Sequence, residues 1–133
     1  KYAKLETIEL EDEKIPANAS PAIEEQVKIA ESNKIIDKLS KYPNAHVCLL
    51  DLHGKEYPSE EYAKKIEDIS TYSSSTIIFV IGGSLGMSQE LLNYSQDKIC
   101  FSKMTFPHQL MRLFLLEQTF RAFKIINNEV YHK

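Results

Sequence analysis

The richest concentration of chemistry-bearing side chains is the segment FSKMTFPHQLMR, residues 101–112. It places one cation (Lys103), two hydroxyls (Ser102 and Thr105) and an imidazole (His108) just before and after Pro107, a residue that favours the first position of a helix. A helix N-terminus offers unpaired N–H groups and positive potential to a polar or anionic ligand. Taken singly, His108 reads equally well as a first-turn residue with a local hydrogen bond, and Lys103 as a solvated loop charge. Further on, Glu117 and Arg121 stand four residues apart. That spacing makes either an ordinary helix-surface ion pair, worth about 0.3–0.5 kcal/mol, or an arginine held by a carboxylate to face a phosphate or a base. Tyr131, His132 and Lys133 put three functional groups at the very end of the sequence, where a frayed tail is the ordinary reading.

A glycine cluster, Gly82-Gly83-Ser84-Leu85-Gly86, follows the apolar run TIIFVI. Glycines let backbone approach a ligand and adopt positive φ. The spacing matches neither the dinucleotide-binding nor the phosphate-loop pattern, and a plain strand-to-helix turn explains it equally well. No nucleophile-elbow serine is present. His46, His53, His108 and His132 show no mutual ligand spacing and no His–Cys cluster is visible, so the sequence supports no metal site.

The elements that must position these groups alternate. Leu5, Ile8 and Leu10 suggest a short strand, and residues 11–21 an exposed loop with two prolines. Ser20-Pro21 is a capping pair, and Ile23, Val27, Ala30, Ile35 and Leu39 predict an amphipathic helix over 21–41. The runs HVCLLDL (46–52), TIIFVI (76–81) and KICFS (98–102) read as buried parallel strands. HGKEYPS reads as a turn, and helices are expected from Ser59 to about Ile69, within SQELLNYS, and from Pro107 to about Ile126. Strands alternating with helices predict an α/β fold, a mostly parallel sheet with helices on both faces. Ligands in such folds bind at the carboxyl ends of strands, where the loops after Leu52, Ile81 and Phe101 leave.

At 133 residues the chain is expected to be one domain over 1–133. It is 43% hydrophobic and 26% charged, ordinary for a globular protein. No apolar run reaches membrane-spanning length, and the opening KYAKLETIEL is unlike a signal peptide. Cys48 and Cys100 lie in apolar runs and read as buried reduced thiols of a cytoplasmic protein. The net charge of −3 is unevenly spread. From Lys103 onward five Lys/Arg face two acids, whereas the preceding residues hold eleven against seventeen. A basic C-terminal third suits a local anion-binding face better than general polyanion binding.

FVIGGSLG (79–86), FSKMTFPHQ (101–109), RLFLLEQTFRAFKI (112–125) and the terminal YHK, with EQVKIAES and LLDLHGKEYPSEEYA upstream, together resemble the ribosomal RNA large-subunit methyltransferase H family of the SPOUT class. The resemblance covers essentially the whole chain. It implies an α/β fold with a C-terminal trefoil knot, an exception to unknotted topology, in a homodimer that binds S-adenosylmethionine. It implies methylation of N3 of a pseudouridine in the 23S rRNA of the assembled bacterial ribosome. Cofactor contacts carry over to Leu50, Gly82, Phe101, Ser102, Lys103, Met104, Thr105 and Phe106, on the same three loops. The catalytic groups implied are His132, Arg121, Glu117, Tyr131 and His108. The family begins with a further strand and helix before the point matched by Lys1, and this chain is expected to lack them. A docking module of the same fold, or a SPOUT enzyme for another RNA base, is the competing reading.

Overall fold

The computed structural model describes residues 3–131. Among the described residues, four helices and three strands follow one another as α1 (Pro21–Leu39), β1 (His46–Glu56), α2 (Ser59–Tyr72), β2 (Ile77–Ile81), α3 (Gln89–Tyr94), β3 (Asp97–Cys100) and α4 (His108–Ile126). They group into two compact units, one of residues 1–43 and 82–94, the other of 44–81 and 95–133.

In the first unit, α1 begins as its capping pair predicts. Ser20 Oγ accepts from Ile23 N at 3.2 Å and Pro21 opens the helix. α1 packs on α3, and the two are tied by buried serines: Ser88 N donates to Ser32 Oγ at 2.9 Å, and Leu91 N donates to Ser88 Oγ at 3.1 Å. Leu91, fully buried, fills the seam. The expected strand at Leu5–Leu10 does not form. A strand needs a partner for its ladder, and the side chains of Leu5, Ile8 and Leu10 are exposed.

The second unit holds the sheet, three parallel strands in the order β2-β1-β3. Parallel strands covered on both faces bury continuous apolar runs, and His46 to Leu49 are all buried. α2 presents Tyr62, Ala63, Ile66 and Ile69 on one helical face, and these meet Cys48, Ile99 and Ala122 in the core. Burying a side chain such as Ile66 contributes about 1.5–3 kcal/mol. α4 locks to α2 through two side-chain hydrogen bonds: Ser59 Oγ to Gln118 Oε1 at 2.7 Å, and between the Tyr62 and Thr119 hydroxyls at 2.9 Å. Both cysteines are free and buried, as expected. Burial pushes the Cys48 thiol up to about 12, which keeps it protonated at neutral pH.

β1 outruns its prediction. HGKEYPS reads as a turn, yet Lys55 and Glu56 pair with Ile99 and Cys100 after a register shift that follows Leu50. Gly54 permits this, because a Cβ there would stand 2.6 Å from the Lys98 carbonyl carbon. No helix of the described residues is long and apolar enough to cross a membrane.

Candidate active site

Leu50 stands opposite Ile81 on β2 and opposite Ile99 on β3. The strands are parallel, so β2 and β3 end on either side of Leu50, and the chain passes directly into Gly82 from one and towards Phe101 from the other. This register places Leu50 beside the end of β3, where the 101–106 segment begins.

The glycine turn is tight. Gly86 N donates to Gly83 O at 3.0 Å and Gly86 has φ of +89°, a conformation that side chains rarely tolerate. Gly83 lies under the Glu31 carboxylate, whose Oε1 would be 2.6 Å from an added Cβ. At Gly82 the neighbour is only the flexible Met87 side chain.

Residues 101–106 run irregularly from β3 to α4. Phe101 sets its ring edge-on to Tyr62 at 5.7 Å, and Phe106 does so to Phe114 at 5.2 Å. Ser102 Oγ accepts from Met104 N at 3.0 Å, and Ser102 O accepts from the Cys100 thiol at 3.1 Å. These contacts pin the ends of the segment and leave Lys103, Met104 and Thr105 exposed. Pro107 caps α4 with no side-chain hydrogen bond, and no acid lies in the first turn. The helix thus presents positive potential beside exposed His108.

The pair at Glu117 and Arg121 is the hub of a larger cluster. Arg121 Nη2 donates to Glu117 Oε2 at 2.8 Å, the Tyr131 hydroxyl donates to the same oxygen at 3.0 Å, and Gln118 Nε2 donates to Oε1 at 2.9 Å. The guanidinium carbon lies 4.9 Å from the centre of the Tyr131 ring, a cation–π arrangement. Tyr131 also meets Phe120 edge-on at 5.1 Å. The hydrogen bonds from Arg121, and secondarily from Tyr131, hold the Glu117 carboxyl below the ordinary range despite some desolvation. The same carboxylate raises the Tyr131 hydroxyl. Glu117 therefore stays ionised and orients both partners.

Glu117 also lines a groove of about 740 Å³ with Phe101, Ser102, Phe106 and Phe114, within the range of small-molecule sites. The groove thus joins Phe101, Ser102 and Phe106 to Glu117 of the α4 cluster, while Lys103, Met104 and Thr105 do not line it. Sequence reasoning missed its other polar members, Ser59 and Gln118. Gln118 is adjacent to Glu117, but its role as a wall follows only from α2 packing on α4. The charge reading is also refined. Lys103 lies 3.9 Å from Glu56, Arg121 is paired with Glu117, and Lys124 lies 3.5 Å from Glu129, so much of the basic C-terminal third is locally compensated. His132 lies outside the described residues.

The expectation of no His–Cys cluster is corrected by the fold. His46, Cys48 and Asp97 bring one ligand atom each within 4.8 Å of one another. His46 and Cys48 share a face of β1 two residues apart, and the third member comes from β3, far along the chain.

Comparison with known proteins supplies the lineage. The sequence pattern of the family described as "Predicted SPOUT methyltransferase" matches residues 1–132. Ribosomal RNA large subunit methyltransferase H 1 of Clostridium perfringens (strain SM101 / Type A) is 53% identical over 133 residues, covering 100% of this chain and 82% of the relative. Ribosomal RNA large subunit methyltransferase H of Bacillus thuringiensis (strain Al Hakam) is 52% identical over 132 residues, covering 99% and 82%. The same protein of Bacillus anthracis matches to the same extent. With a parallel α/β sheet and a match across nearly its full length, the chain belongs to the SPOUT methyltransferase family, alongside the ribosomal RNA large subunit methyltransferase H proteins.

Proposed function

We propose that this chain is an S-adenosylmethionine-dependent methyltransferase that modifies N3 of a pseudouridine in the 23S rRNA of the assembled ribosome. It would act as a cytoplasmic homodimer, one domain with a trefoil knot. The observation that carries the reading is the strand register, which sets Leu50 between the ends of β2 and β3, from which the glycine turn and the 101–106 segment depart. The names of the relatives support ribosomal RNA as the target.

The residues fit such a cofactor. Phe101, Phe106 and Phe114 offer ring faces and edges, Ser102 a hydroxyl, and α4 an N-terminus without a side-chain cap, a set suited to an adenosine group. When bound, S-adenosylmethionine supplies an activated methyl on a sulfonium. Leu50, Gly82, Phe101, Ser102, Lys103, Met104, Thr105 and Phe106 would hold and orient it. Alignment provides much of the acceleration of an in-line transfer. N3 of a pseudouridine is a weak acid and must lose a proton to attack. We assign that proton to His132, with His108 as the alternative acceptor, since an imidazole titrates near neutrality. Arg121, fixed by Glu117, stabilises negative charge developing on the base carbonyls, and Tyr131 stacks on the base.

The test is calorimetric titration of the purified protein with S-adenosylmethionine, repeated on Gly82→Trp, followed by methylation of ribosomes lacking the modification. Met87 can yield to the larger side chain, so the variant should fold. Saturable binding lost in Gly82→Trp, with product at pseudouridine N3, is expected. A folded dimer that binds no cofactor would point to the docking module, and product on another base to a different SPOUT specificity.

A further inference from the structure

At the amino ends of β1 and β3, away from the groove, a buried cluster plays no part in the proposed methyl transfer. His46 Nε2 lies 2.5 Å from Asp97 Oδ2, and Cys48 Sγ is the third donor within 4.8 Å. We propose that His46 Nε2, Asp97 Oδ2 and Cys48 Sγ form a binding site for a borderline-soft divalent cation of the zinc type.

Each of the first two ligands is held from its far side. The ring of His46 is fixed through Nδ1 by Ser73 Oγ at 2.7 Å, and the carboxylate of Asp97 through Oδ1 by the Lys65 ammonium at 2.9 Å. Metal-binding histidines and carboxylates are commonly oriented in this way by outer hydrogen bonds. The donor set of imidazole nitrogen, thiolate sulfur and carboxylate oxygen suits Zn²⁺, with bonds of about 2.0–2.3 Å, and not Mg²⁺ or Ca²⁺. Small side-chain rotations close the remaining gap. Entry is from the rim, where Ser73 is exposed, while Cys48 closes the floor at 0% exposure. A water entering from that rim would supply a fourth ligand.

Binding exchanges two protons for the ion. One leaves the Cys48 thiol, which burial otherwise keeps protonated. The other leaves the hydrogen bond between His46 and Asp97, and both pass to solvent. The ring keeps its Nδ1 proton, donated to Ser73 Oγ. The Lys65 charge opposes the cation and moderates affinity, so a regulatory or stabilising ion is expected and not a catalytic one.

The test is titration of the reduced protein with Co²⁺, reading the thiolate-to-metal charge-transfer band, with Zn²⁺ as competitor. One saturable site per chain is expected, with its band lost in Cys48→Ser, kept in Cys100→Ser, and Co²⁺ affinity at least roughly 10-fold weaker in His46→Gln. No band in the folded wild-type protein would overturn the proposal. So would a band that survives in Cys48→Ser, or unchanged affinity in His46→Gln; the last keeps the test decisive if Cys48→Ser does not fold.

Discussion

The two ends of the parallel sheet are built from the same three strands and treat polar groups in opposite ways. At the amino end, His46, Ser73, Asp97 and Lys65 hydrogen-bond to one another in partial or full burial. At the carboxyl end, the polar groups of Lys103, Thr105 and His108 are exposed and α4 begins without a side-chain cap. A network that the protein's own groups already satisfy stabilises and specifies, and gives way to a cation only by exchanging protons, whereas groups left facing outward meet a ligand directly. The α4 cluster is intermediate. Glu117 is committed to Arg121, Gln118 and Tyr131, but it also faces the groove.

This contrast can be broken by substitutions that should change activity at one end and stability at the other. Arg121→Ala should lower the methylation rate about 100-fold or more, the scale of losing an electrostatic stabiliser, with little change in melting temperature. A single-turnover assay checks it, and a large loss of stability with normal turnover would reverse the assignment. Asp97→Ala leaves His46 and Lys65 without their shared partner. It should cost roughly 2–3 kcal/mol in denaturant unfolding while cofactor affinity is unchanged. Gly54→Ala forces a methyl against the β3 backbone and should cost about 1–3 kcal/mol, with Gly86→Ala as the comparison where only φ is strained.

The pH dependence separates the ends further. Burial opposes ionisation of Asp97, but the hydrogen bonds from Lys65 and His46 outweigh it and place its pKa below the ordinary 3.8. Folding therefore lowers this pKa. The contribution is full above the unfolded value and is lost as pH falls from 3.8 through the lowered one. Asp97→Asn should flatten that acid limb of the stability profile. An unaltered limb would mean that other carboxylates carry it. The smallest expected effect is Ser20→Ala, about 1 kcal/mol from the lost cap of α1, measurable by thermal unfolding.

Element types were legible wherever one local signal dominated. Ser20-Pro21 announced α1, the runs 46–52 and 76–81 announced strands, of which only residues 46–49 and Val80 are buried, and Pro107 announced α4. Local signals failed where pairing decided. Leu5, Ile8 and Leu10 have the strand pattern but no ladder forms there, and Lys55-Glu56 lack the pattern but pair across Gly54. The carboxyl-end segments were legible as loops because strand ends could be counted, and their residues by resemblance. Ser59 and Gln118 were not, since only helix packing makes them neighbours.

What the sequence by itself determined is therefore the alternation of strands and helices, the buried cysteines, the Glu117–Arg121 pair and the family, because each rests on residue type, short spacing or a long match. Tertiary structure alone decided that Leu50 stands between Ile81 and Ile99, that Tyr131 shares the Glu117 carboxylate, and that Asp97 meets His46 and Cys48. The reason is that these contacts join positions 14 to 51 residues apart or set by strand register. Their energies come from burial and pairing across elements, which no local spacing encodes.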